Sequence, residues 1–164
     1  MVSPLHQRGG ISKDALMAWV NEARKRAADA GRGSIADYMI GEMLSGSPPG
    51  SDGAWPHEAV RDVVEQVGSE RLESGIETGR YNARGIHWRA PGGAQEFALA
   101  AQYSEFAEKC ADQWPRTAAM LREIERKYKG EGRWHEAREE APRYRIADRN
   151  AEPVVAKAQC KEQD

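Results

Sequence analysis

The sequence predicts an all-α fold, a compact bundle of about five to six packed helices with a flexible C-terminal tail. Three observations lead there. Apolar residues recur three and four positions apart in segment after segment, strand-type alternation is absent, and the periodic segments are punctuated by capping, glycine and proline signals. With 164 residues, 40 % hydrophobic and 30 % charged, the chain has the length and balance of one domain with a real core.

Residues 12–30 read as the first helix: Ser12 can cap it, Asp14 suits its positive end, and Gly31 can close it. Leu16, Val20, Ala23 and Ala27 follow one narrow face, with Trp19 at its edge. The next segment, "SIADYMIGEMLSG", offers Ser34 and Asp37 at capping-box spacing. Within it Ile35, Met39 and Met43 form one row, with Ile40 and Leu44 beside them. Gly41 costs this helix about 1 kcal/mol relative to alanine, which points to close contact with another backbone.

The Ser/Gly/Pro-rich stretch 45–56 is a loop inside the domain, because the residues before it are too few to fold alone. Pro56 suits the first position of a third helix, along which Val60, Val63, Val64 and Val67 keep helical spacing until Gly68. Ser69 can open a fourth helix through Leu72 and Ile76, weakened by Gly75 and Gly79. The strongest helix spans about 94–113, with Leu99, Tyr103, Phe106 and Cys110 on one stripe. Pro115 starts another to about Lys129, with Leu121, Ile124 and Tyr128 inward. "GEG" at 130–132 then breaks the run before a short helix around Trp134. From Pro142 the apolar anchors thin out, so residues 1–141 form the domain and 142–164 a mobile tail.

Totals exclude several classes. A net charge of −2 and a pI near 6.1 leave nucleic acid only a local basic patch. No apolar run reaches the roughly 18–20 residues that cross a bilayer, and the start resembles no signal peptide, so no membrane role and a cytoplasmic setting are expected. Cys110 and Cys160 are far apart, and Cys110 lies on a core stripe where a thiol behaves as a small hydrophobe. His57 and His135 lack the second histidine of a zinc-protease helix, and no metal site or cofactor is expected. "GSPPGS" is no nucleophile elbow, and no phosphate-cradling glycine fingerprint occurs. In "GRGS" at 31–34, Gly31 reads as a stop signal in preference to an anion site.

One stretch stands apart. "RYNARGIHWRAPGG" at 80–93 joins the weak fourth helix to the strongest one, and from Thr78 to Gln95 it holds three arginines and no acid. Arg80, Arg84 and Arg89 suit phosphate, and Tyr81, His87 and Trp88 add rings for stacking or for a protein hot spot. Asn82, Gly85 and the Pro-Gly-Gly turn also explain it as a plain connection, with Trp88 plugging the core. These readings stay open at the level of sequence.

The succession "DYMIGEMLSGSPPGSDGAWPHEAVRDVVE", "GRYNARGIHWRAPGGAQEFALAAQY" and "WPRTAAMLREIERKY" resembles the C-terminal regions of large uncharacterised bacterial proteins associated with genomic islands and other mobile elements. The resemblance covers about residues 8–140 and implies no activity, cofactor or catalytic residue. It implies that the chain is a freestanding version, or a fragment, of a module that elsewhere ends a larger protein. The expected function is a small helical binding module, an accessory or regulatory factor acting through a protein partner. Nucleic-acid or phosphate binding at 80–93 is the alternative. An enzyme built from His57, His87 or His135 with Asp62 or Glu65 is the least supported.

Overall fold

The computed structural model describes residues 11–84 and 91–140, which form helices and the turns and loops that join them, with no strand. Six helices follow one another: α1 (Lys13–Asp29), α2 (Gly33–Leu44), α3 (Glu58–Val67), α4 (Glu70–Asn82), α5 (Ala94–Cys110) and α6 (Pro115–Glu140). A 3-10 turn, Pro91–Gly93, leads into α5. The bundle is therefore the all-α architecture that the spacing predicts. The predicted tail at 142–164 lies outside the described residues.

α1 forms as its signals direct. The Ser12 side chain accepts from the Ala15 N–H at 3.4 Å, Asp14 sits in the first turn, and Leu16 and Val20 are fully buried. α2 starts differently from expectation. It begins at Gly33 with Arg32 in the capping position, and Ser34 lies inside the helix, so no capping box forms. Asp37 instead accepts the Arg24 guanidinium at 2.7 and 3.2 Å. A partly buried, two-pronged ion pair to α1 outcompetes a local backbone contact for the same carboxylate.

α2 and α4 run parallel and touch backbone to backbone. A Cβ placed on Gly41 would lie 2.1 Å from the Leu72 carbonyl oxygen, and one on Gly75 would lie 2.1 Å from that of Tyr38. Gly79 faces Ser45 in the same seam. Glycines that look like weaknesses in α4 are what lets the two helix backbones touch, where a side chain on either would clash.

Residues 45–57 contain no helix, yet they are built into the core. Trp55 is buried and its indole N–H donates to the Ser47 carbonyl at 2.9 Å. The Ser47 hydroxyl accepts from the His57 N–H at 3.0 Å. Pro56, preceded by a cis peptide bond, is not the first residue of α3. His57 caps that helix, its ring Nδ1 accepting from the Ala59 N–H at 3.2 Å, and α3 begins at Glu58. Pro56 is instead committed to the loop, where its carbonyl accepts from Arg61 at 2.6 Å.

α5 and α6 form the other tightly packed pair. Tyr103, Phe106 and Cys110 of α5 meet Leu121, Ile124 and Tyr128 of α6 in the core, as the periodicity predicts. "GEG" does not end α6, which runs unbroken to Glu140. Gly132 is buried against Phe97 and against the backbone of Gly93, where a Cβ on Gly93 would lie 2.5 Å from the Gly132 carbonyl oxygen. A tertiary contact thus holds a segment whose local propensity favours a break.

Candidate functional site

The 80–93 stretch leaves α4 beside the α5–α6 pair, and three of its six candidate residues are described. Arg80 points inward. Its Nε donates to the Tyr103 hydroxyl at 3.0 Å, and its guanidinium lies 4.7 Å over the Trp55 ring. Arg84 lies 5.0 Å over the Tyr128 ring and 3.5 Å from a carboxylate oxygen of Glu96. Tyr81 donates its hydroxyl to Glu131 at 2.6 Å and stacks on Tyr128 at 6.2 Å. His87, Trp88 and Arg89 lie outside the described residues.

These contacts make a continuous aromatic column. Tyr128 stacks on Tyr103 at 5.6 Å, and Tyr103 meets Trp55 edge-on at 6.2 Å and Phe106 at 5.9 Å. Burial pushes the Tyr128 phenol above its ordinary range. The two guanidiniums clamp this column from the α4 side, each over a ring face that favours a cation. A cleft of about 170 Å³ remains between Arg80, Arg84, Leu99 and the two stacked tyrosines. A more apolar one of about 260 Å³ adjoins it, lined by Tyr81, Ile124, Tyr128 and Glu131.

Glu96 is the side chain here that sequence reasoning missed. It is almost fully buried in the first turn of α5, and neither carboxylate oxygen accepts a hydrogen bond among the described residues. The positive end of α5 and the Arg84 guanidinium offset its charge. Its position three residues after Gly93 is the sequence signal that could have marked it, since glutamate is favoured there at a helix start.

Three of the residues weighed for an enzyme, Asp62, Glu65 and His57, make structural contacts. Asp62 accepts the Trp114 indole N–H at 2.9 Å and pairs with Lys13 at 3.0 Å. Glu65 caps α6, accepting from the N–H groups of Arg116 and Thr117 at 3.2 and 2.8 Å. His57 caps α3 on its own. Cys110 is buried, and burial pushes its thiol up despite the nearby Arg61. Among the described residues no three His, Cys, Asp or Glu side chains are grouped to hold a metal ion. No described helix is long and apolar enough to cross a membrane.

A second surface is exposed on α2. Ile40, Leu44 and Gly41 face the core, while the row Ile35, Met39 and Met43 is 63, 51 and 44 % exposed on the opposite side. A surface helix ordinarily turns a polar face to water. α2 turns an apolar one, flanked on α4 by Arg71, with a cleft of about 330 Å³ between Arg71, Ile35, Tyr38 and Ser34.

No family model matches the chain, and no match was found among curated proteins or solved structures.

Proposed function

We propose that this chain is a small helical protein-binding module, an accessory or regulatory factor that acts through contacts with another protein. The exposed row Ile35, Met39 and Met43 carries this reading. Three large apolar side chains in line on the outer face of a helix give a partner the anchors that a polar surface lacks. The resemblance to C-terminal regions of mobile-element proteins suggests the biological setting, and a buried free thiol is in keeping with a reduced, cytoplasmic one. Nucleic-acid binding through the 80–93 stretch draws less support, since Arg80 and Arg84 already engage rings, a hydroxyl and a carboxylate.

Affinity capture from native lysate with three chains tests the proposal. Proteins recovered by the native chain should be lost with Met39→Lys and kept with Arg84→Ala. An unchanged set with Met39→Lys refutes the reading. Loss confined to Arg84→Ala moves the contact to the 80–93 stretch.

A further inference from the structure

We propose that the outer face of α2 pairs with the same face of a second copy of this chain, antiparallel, about a two-fold axis through Met39. The inference rests on the reading of the α2 row as a contact surface and names its partner. A symmetric contact needs a surface that complements itself, so that residue i meets j while j meets i. The row meets that condition. Met39 is midway between Ile35 and Met43, so an antiparallel copy sets Met39 on Met39 and Ile35 on Met43 of the second copy.

Charge completes the match. Because Gly75 packs on Gly41 and Gly79 on Ser45, Arg71 stands level with Asp37 and adjoins Ile35 at the start of the row. Glu42 lies on the α4 side of the row, next to Met43 at its end. An in-plane two-fold axis perpendicular to α2 keeps both α4 helices on one side of the pair. Glu42 of each copy then faces Arg71 of the other, level to within about 1.5 Å, the rise of one residue. Neither side chain takes part in an ion pair among the described residues. The antiparallel arrangement also sets the positive end of each α2 against the negative end of the other. Between the charged pairs α4 presents Ser74, on the Arg71 face and small enough for the copies to close.

The contact is modest in size. Helices of 12 and 13 residues side by side, each about 18–20 Å long and about 10 Å wide, offer on the order of 350 Å² per copy, against about 800 Å² for a standard interface. Pairing is therefore weak and concentration-dependent.

Sedimentation velocity on the full chain tests this from about 10 µM to about 1 mM, the range that a small interface demands. The weight-average mass should climb from 18.2 kDa toward twice that value. Met39→Lys places two ammonium groups together on the axis and should stay monomeric throughout, with an unchanged far-UV circular dichroism spectrum. Arg71→Glu and Glu42→Arg should each weaken pairing about tenfold or more. Mixed one to one, those two variants should recover it, because each cross-pair regains opposite charges. A native chain that is monomeric over the whole range, dimers that survive Met39→Lys, or a mixture that equals the sum of its parts would each overturn the inference. A monomeric chain that still loses captured proteins on Met39→Lys refutes self-pairing while leaving the binding reading intact.

Discussion

The guanidinium of Arg61 is fully buried and makes four hydrogen bonds in the loop that precedes α3: to the Pro56 carbonyl at 2.6 Å, to the Ala54 carbonyl at 2.5 Å, and to both Asp52 oxygens at 2.7 and 2.8 Å. It also lies 4.8 Å over the Trp114 ring, tying that loop to the start of α6. A fork of fixed geometry can satisfy two carbonyls and a carboxylate at once, which a lysine ammonium cannot. Arg61→Ala leaves the buried Pro56 carbonyl unpaired and takes the guanidinium away from the Asp52 carboxylate, and should cost about 3–5 kcal/mol in urea denaturation. The pH dependence follows from the same pair. Arg61 holds the Asp52 carboxyl down at about 2, from an ordinary 3.8. A lowered folded-state value stabilises above the unfolded one, so this contribution is complete above about pH 4 and lost as pH falls toward 2. Asp52→Asn should flatten the stability profile over that window; an acid slope identical to the native one would mean that the pair is not formed in solution.

At the level of the helices, the α2–α4 seam reverses an ordinary rule. Gly→Ala inside an exposed helix normally stabilises by about 1 kcal/mol. At Gly75 the added methyl would meet the Tyr38 carbonyl at 2.1 Å. Gly75→Ala should therefore destabilise by at least about 2 kcal/mol, since two packed backbones must separate. Gly130 in α6 has open space around it, and Gly130→Ala should stabilise by about 0.5–1 kcal/mol. Thermal unfolding of the two variants, shifted in opposite directions, checks the pair. The same glycines mark what the sequence could convey. Gly41 is legible as a close approach because it interrupts an apolar helix, but its partners Gly75 and Gly79 look like simple defects, since local pattern carries no information on which helix lies opposite. The "GEG" of α6 misleads for that reason too, its continuity resting on Phe97 and Gly93 far away in sequence. Periodicity likewise finds both apolar rows of α2 and is blind to which one is buried. Composition gathers Arg80, Tyr81 and Arg84 into one candidate site, but the contacts that hold them depend on Trp55, Tyr103 and Tyr128, from three other parts of the chain.

For the whole molecule, the question is whether two tight helix pairs, α2 with α4 and α5 with α6, make one cooperative unit or two. The contacts that cross between them are polar and aromatic as well as apolar. Arg80 of α4 reaches Trp55 of the loop and Tyr103 of α5, while Arg116 of α6 pairs with Glu73 of α4 at 2.6 Å. Glu65 of α3 caps α6, and α1 packs on both α2 and α3. The loop 45–57 cannot act as a hinge, because Trp55 and the four-bonded Arg61 hold it in the core on both sides. Neither pair can open without exposing a ring column and leaving buried polar groups unpaired, so the cost of partial opening approaches that of complete unfolding. The chain should therefore unfold in one two-state transition. Far-UV circular dichroism, which reads all six helices, and near-UV circular dichroism, which reads the aromatic column, should give the same midpoint. Gly75→Ala should lower both together, although the substitution touches only the α2–α4 pair. A near-UV transition that stays in place while the far-UV signal falls earlier would show the α5–α6 pair standing on its own and refute the single-unit reading.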